Sequence, residues 1–372
     1  MSRISAIGLM SGTSLDGVDV ALINTDGSEI GRFGPTGYRA YSDAERALLR
    51  QALAAAVHLT ARTERSEILT EAEALVTRAH AEAVEAFLKA NGVAAADIGV
   101  VGFHGQTVLH RPERGVTVQL GDGHELAKRL GIPVAFDFRA ADVAAGGEGA
   151  PLVPVFHRAL AAMIDRPHPV AVINLGGVAN VTFIDGDTLV ACDTGPGNAL
   201  IDDFLRLRSG AAVDLDGKAA AAGQVDEAAV NRILAHPYFA KAPPKSLDRN
   251  DFRGWVAEQG GLAEKSLEDG AATLTAVTAA SLARIIDVLP RRPASWVVAG
   301  GGARNPTLMR MLAHRLRSNQ VETADAVGWS VDGLEAQAFA YLAVRTMRGL
   351  PITFPGTTGA PGPLTGGVIA WP

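Results

Sequence analysis

The residues best suited to chemistry in this 372-residue chain fall at glycine-rich turns that follow apolar runs. Three such turns are Gly12-Thr13-Ser14, Gly176-Gly177 and Gly300-Gly301-Gly302. Each brings main-chain N–H groups and small side chains to the end of a predicted strand, where phosphate oxygens can approach the backbone. One turn of this kind signals little. Three of them, two on hairpins and one entering a helix, point to a nucleotide. Neither a G-x-x-x-x-G-K-[ST] phosphate loop nor a G-x-G-x-x-G dinucleotide fingerprint is present.

Asp193 closes the predicted strand "DTLVACD" and precedes Thr194-Gly195-Pro196-Gly197. A carboxylate at a strand end, facing glycine-rich turns, suits a general base or a metal-water ligand. The plain alternative is a cap on the following helix. "DTG" is also the signature of aspartic proteases, but that chemistry needs two carboxylates sharing a proton, and a single D-T-G occurs here.

Two further constellations carry polar groups. "VGFHGQTVLHRP" holds His104, Gln106, His110 and Arg111, with no second ligand at zinc-like spacing. His104 reads either as a satisfied histidine at a strand end or as a ligand contact. "FDFRAADVAAGGEGAPLVP" holds Asp137, Arg139, Asp142 and Glu148 beside Gly146, Gly147 and Gly149. It suggests a mobile sugar- or acid-binding loop, or else a charged surface turn with a buried Arg–Asp pair. "KSLDRNDFRGW", Lys245 to Trp255, reads the same way or as a charged helix start.

The elements that must position these residues alternate. "ISAIGLM" and "VDVALI" flank the first turn as an antiparallel hairpin. "AERALLRQALAAAVHL" and "SEILTEAEALVTRAHAEAVEAFLKANG" have helical spacing, the second ending at Gly92. "IGVVGFHGQTVLH" reads as a strand running into a glycine loop, "VTVQLGDGHELAKRLG" as strand, turn and helix, and "IPVAFDF" as a strand. "PVAVINLGGVANVTFIDG" repeats the opening layout, so the chain reads as two related halves. "ASWVVAGGGARNPTLMRMLAHRL" gives strand, glycine triplet and helix, and the tail after Leu350 gives loops or a closing strand. The alternation points to an α/β architecture.

Bulk properties exclude some classes. A net charge of −6 argues against a nucleic-acid partner, which wants a basic face. No segment approaches a membrane helix, and the N-terminus lacks the apolar core of a signal peptide. The lone Cys192 permits no intrachain disulfide and fits a reducing, cytoplasmic setting. Oligomeric state stays open, a homodimer among the options.

Seven motifs in order carry a resemblance: "GLMSGTSLDGVDVAL", "GFHGQTVLHRP", "FDFRAADVAAGGEGAPLVP", "NLGGVANVTFI", "DTGPGNALID", "KSLDRNDF" and "VVAGGGARNPTLM". From about Ile7 to the C-terminus the chain resembles the anhydro-N-acetylmuramic acid kinases, in the superfamily of sugar kinases, heat-shock ATPases and actin. The resemblance implies a two-lobed, actin-like ATPase fold, α/β and built from duplicated ribonuclease H-like lobes around an interlobe cleft. Lobes at 1–145 and 146–372 are expected, hinged so that closure traps one water. It implies an ATP- and Mg²⁺-dependent enzyme that opens the ring of 1,6-anhydro-N-acetylmuramic acid with water and phosphorylates O6.

On that resemblance Asp193 is the catalytic base. Gly12, Thr13, Ser14, Leu15, Asp16, Gly17, Val18 and Asp19 form the first phosphate loop. Gly176 and Gly177 form the second, and Gly300, Gly301 and Gly302 the adenosine loop. Asp16 and Asp19 are expected to reach Mg²⁺ through water, unless they only supply turn and strand chemistry. His104, Arg139, Asp142 and Glu335 are the expected sugar contacts, Glu335 having a surface helix charge as its plain alternative.

Overall fold

The computed structural model describes residues 2–12, 14–247, 252–331 and 333–372. The chain divides into two compact units, Met1–Leu160 with Asp332–Pro372, and Ala161–Val331. Its strands are β1 (Ile4–Ser11), β2 (Gly17–Thr25), β3 (Ile30–Ala40), β4 (Val100–Arg111), β5 (Val116–Leu120), β6 (Val134–Phe136), β7 (Val170–Leu175), β8 (Val178–Asp185), β9 (Thr188–Pro196), β10 (Ser295–Ala299), β11 (Val321–Thr323) and β12 (Val368–Ala370).

In the first unit β1, β2 and β3 form an antiparallel meander, and β4 and β6 continue the sheet parallel to β1. In the second unit β7, β8 and β9 form the same meander, and β10 and β11 continue it parallel to β7. The order β3-β2-β1-β4-β6 therefore recurs as β9-β8-β7-β10-β11. The same α/β strand order is thus built twice, and both glycine-tipped hairpins are antiparallel as expected.

Several elements follow directly from local sequence. The helix Asp43–Ala56 starts at a Ser42–Glu45 capping box. The helix Glu67–Asn91 stops at Gly92 in the left-handed region, φ 62°. The tail closes the first sheet, β12 pairing antiparallel with β6.

Three expectations change. The segment 146–160 and the last forty residues fold with the first unit and not with 161–331, the latter because the helix Leu334–Met347 lies directly on β1 and β4. A Cβ on Gly8 would fall 1.8 Å from the Ala336 carbonyl oxygen, and one on Gly102 would fall 2.1 Å from that of Phe339. These two glycines let helix and sheet backbones touch. Next, β4 does not run into a loop at Gly105. That residue takes φ +71° as a kink within the strand, and β4 continues to pair with β5. Third, β9 passes through Asp193 to Pro196, so Asp193 is internal to a strand and not a helix cap. Strand β3, with its glycines and proline at the sheet edge, carries too little apolar pattern to be read from sequence.

The first unit's core joins Ile7, Leu9, Val101 and Phe103 of the sheet to Leu69, Val76 and Val84 of the helix Glu67–Asn91. The second has two clusters, one around Ile173, Phe183, Trp296 and Leu308, the other around Phe204, Tyr238, Phe239 and Val277. Among the described residues no helix is long and apolar enough to cross a membrane.

Candidate active site

In the first unit the turn between β1 and β2 is clamped from below. Buried Ser11 donates through Oγ to Gln106 Oε1 at 2.6 Å and contacts the Tyr41 hydroxyl at 3.1 Å. Gln106 Nε2 donates to the Gly12 carbonyl at 3.2 Å, and the Leu15 amide reaches the same carbonyl at 3.2 Å. Leu15 takes φ +59° and drives its side chain into the core, which turns Ser14 and Asp16 to solvent. Val18 is fully buried, and a Cβ on Gly17 would meet the Arg39 carbonyl oxygen at 2.2 Å. Leu15, Gly17 and Val18 thus shape the loop. Gly12, Ser14, exposed Asp16 and half-buried Asp19 are its accessible members. The charges of Asp16 and Asp19 both act on the Tyr38 phenol, which burial foremost holds above its usual range. Thr13 lies outside the described residues.

In the second unit the parallel pairing of β7 with β10 sets Ala299 beside Asn174 and brings the Gly176 and Gly300 turns together. The amides of Gly197 and Asn198 donate to the carbonyls of Gly177 and Gly176 at 3.0 and 2.8 Å, pinning the hairpin tip. Gly300 (φ +82°) and Gly302 are required by packing: added Cβ atoms would meet Asn174 Oδ1 at 2.4 Å and Leu175 Cβ at 2.7 Å. Three glycines lack such a reason. A Cβ would meet nothing nearer than 3.6 Å at Gly12, nothing nearer than 3.5 Å at Gly176 and nothing within 4 Å at Gly301. Each loop thus holds one glycine whose space the fold leaves open, the room a phosphate or ribose needs to reach the main chain.

Asp193 pairs with Asn180 of β8 at a register shift. One carboxylate oxygen accepts from the Leu247 amide at 2.9 Å. Its own amide donates to the Lys245 carbonyl at 3.0 Å, and its carbonyl accepts from the Tyr238 hydroxyl at 2.9 Å. Burial pushes the carboxyl up to about 6, against the opposing effects of the Leu247 amide and the Lys245 charge. Lys245 is itself buried, donates to the Tyr238 carbonyl at 3.2 Å and sits 4.8 Å from the Tyr238 ring centre. Desolvation holds its amine below the usual range. Burial pushes the Cys192 thiol to about 12, so it is an inert neighbour.

His104, Arg139, Asp142 and Glu335 gather in the first unit. Arg139 donates to the Gly149 carbonyl at 2.7 Å and to His104 Nε2 at 3.1 Å. A guanidinium only donates, so His104 Nε2 accepts and His104 Nδ1–H donates to the Gly105 carbonyl at 2.8 Å. The histidine is neutral; burial first and the Arg139 charge second lower it to about 3. Asp142 spends its oxygens on the Gly149 amide and the Thr358 hydroxyl, each at 2.7 Å. The 146–149 loop is therefore fastened, and no direct Arg139–Asp142 hydrogen bond is made. Glu335 opens the helix Leu334–Met347 and is solvent-accessible. Surrounding protein desolvates it enough to raise its carboxyl, with the Arg139 charge pulling it back.

The family model for anhydro-N-acetylmuramic acid kinase matches residues 4–372. The chain belongs to that family. A relative of that name from Bradyrhizobium diazoefficiens is 60% identical over 370 residues, covering 99% of this chain and all of its own. One from Rhodopseudomonas palustris is likewise 60% identical over the same extents. A third, from Azorhizobium caulinodans, is 59% identical over 99% of each chain.

For a kinase of this family the sequence reading missed the surroundings of Asp193. Lys245 and Leu247 lie in the quoted "KSLDRNDF" motif, but Tyr238 carried no signal beyond a buried aromatic. Residues 248–251 of that motif lie outside the described residues. The link from 245–247 back to β9 is made by main-chain atoms, which side-chain patterns do not show. Among the described residues no cluster of three His, Cys, Asp or Glu could hold a metal ion. Asp16 and Asp19, two accessible carboxylates near one phenol, match what Mg²⁺ asks when phosphates and waters complete its shell.

Proposed function

We propose that this kinase uses ATP and water to open 1,6-anhydro-N-acetylmuramic acid and phosphorylate O6, yielding N-acetylmuramic acid 6-phosphate in cell-wall recycling and amino-sugar catabolism. The observation that carries the reading is the carboxyl of Asp193, raised to about 6 by burial and fixed by the Leu247 amide. A base with that affinity is ionised at neutral pH and still takes a proton readily.

The substrate has no free 6-hydroxyl, because O6 is bonded to C1. Asp193 removes a proton from a water that attacks C1, the C1–O6 bond breaks, and O6 takes the γ-phosphoryl group as its bond to the bridging oxygen of ATP breaks and ADP leaves. Protonated Asp193 then returns its proton to solvent. Lys245, desolvated beside the carboxylate, keeps Asp193 from rising further. The open main chain at Gly12 in the first unit, and at Gly176 and Gly301 in the second, gives phosphate oxygens room to approach. Asp16 and Asp19 would hold Mg²⁺ through water, and the ion would supply positive charge to neutralise the phosphates. Neutral His104, Arg139 and Glu335 contact the sugar, while Asp142 fastens the loop beside them. A cytoplasmic setting suits the single reduced thiol.

Turnover in ¹⁸O-water tests the reaction. Label is expected at C1 of the product. Phosphorylated sugar without label at C1 would overturn ring opening by water and leave an ordinary sugar kinase.

A further inference from the structure

Gln106 is fully buried on β4, and its amide reaches the Gly12 carbonyl at the end of the neighbouring β1. The register of that parallel pairing slips: Leu9 lies opposite Phe103, but Ser11 lies opposite Gln106. Over this span β4 spends one more residue than β1, at the Gly105 kink, and such an irregularity re-aims the side chain that follows it. Partners fix which end of the amide is which. Nε2 lies 3.2 Å from the Gly12 carbonyl and 3.5 Å from that of Thr107, and carbonyls only accept. Oε1 therefore faces Ser11, whose hydroxyl donates to it at 2.6 Å. The Tyr41 hydroxyl in turn donates to Ser11 Oγ at 3.1 Å. Burial pushes the Tyr41 phenol up to about 12, so it keeps its proton. A directed chain of hydrogen bonds thus runs from Tyr41 through Ser11 and Gln106 to Gly12, each bond polarising the next.

We infer that Gln106 is a positioning residue for the nucleotide: it holds the Gly12 carbonyl inward, so that this oxygen does not face the phosphates. Gly12 has no side chain to hinder rotation, and a Cβ there would meet nothing nearer than 3.6 Å. Its peptide plane can therefore turn at little cost. Turned outward, the carbonyl oxygen would set a partial negative charge against the phosphate oxygens, which need N–H groups instead. The Leu15 amide also reaches that carbonyl at 3.2 Å, but Leu15 belongs to the same turn and moves with it. Gln106 is anchored in the sheet and supplies the fixed reference. Filling space alone would not call for an amide, because a buried amide is costly unless its groups are paired. The inference rests on the proposed nucleotide site.

The test measures Kd for ATP with Mg²⁺ and for 1,6-anhydro-N-acetylmuramic acid, each alone, by calorimetry on the full chain. Gln106→Met keeps the volume and removes both hydrogen-bonding ends. It should weaken ATP binding roughly tenfold and leave the sugar Kd within about twofold. Gln106→Glu offers a donor to Gly12 only while protonated, and burial among carbonyls raises its carboxyl. Relative to the wild type, its ATP Kd should therefore climb as pH rises from about 6 to about 9. Unchanged ATP affinity in Gln106→Met, an equal loss for ATP and sugar, or a Gln106→Glu effect that does not change with pH would overturn the positioning role. If thermal unfolding shows the methionine variant unfolded, the pH dependence of the glutamate variant decides alone. A wild type that does not bind ATP would overturn the nucleotide site, and the inference with it.

Discussion

For Asp193 the balance lies between burial, which raises its carboxyl to about 6, and the Leu247 amide and Lys245 charge, which lower it. A base acts only when ionised, so kcat/KM should fall as pH drops through about 6 and level off above it. A profile flat from pH 5 to 8 would remove Asp193 from that role. Lys245→Met deletes the lowering charge and should move the acid limb to higher pH. A limb that stays in place or moves to lower pH would exclude the Lys245 effect. Asp193→Asn keeps the shape and loses the base. Turnover should fall about 10³-fold or more while ATP binding, read by calorimetry, persists. The candidate base was legible because a D-T-G sits between an apolar strand and glycines. Its tuning was not, since the tuning comes from burial, the Leu247 amide and the Lys245 charge, the last two some fifty residues on in the chain.

The glycines separate into two kinds by what surrounds them. Gly8 and Gly102 admit the backbone of the helix Leu334–Met347, and no side chain fits there. Gly8→Ala should lower Tm by roughly 5 °C or more, measured by thermal unfolding. Gly12 and Gly301 face open space, so Gly12→Ala and Gly301→Ala should leave Tm within about 2 °C while raising the KM for ATP roughly tenfold. The reverse pattern would mean that the glycines at the loops serve the fold. Sequence placed all four in apolar or glycine-rich runs without distinguishing them. The difference depends on what lies across from each Cα, and only tertiary contact supplies that.

Across the whole molecule, three buried histidines set the acid limit. Burial lowers His80 to about 4, and His104 and His157 to about 3. These are bases whose folded affinity for protons lies below the unfolded value near 6.5. Between roughly pH 3 and 6.5 the unfolded chain therefore binds more protons, and stability rises with pH. Going from pH 6.5 to 5 should cost roughly 2 kcal/mol for each, measured by denaturant unfolding. Unchanged stability over that range would show that the rings are not held neutral. The shared strand order of the two sheets belongs to this scale as well. It was visible in sequence only as two hairpins with the same layout, because the parallel additions β4 and β10 have no common pattern around them.

By itself the sequence determined the two glycine-tipped hairpins, the alternation of strands and helices, the capped helix ends and the family. These depend on local spacing and on motifs that survive in linear order. Tertiary structure alone decided that the last forty residues complete the first unit, that Asp142 fastens a loop, and that Lys245 and Tyr238 flank Asp193. Each of those rests on contacts between distant segments, several made by main-chain carbonyls and amides. Backbone atoms are the same in every residue, so no pattern of side chains can announce which of them will meet.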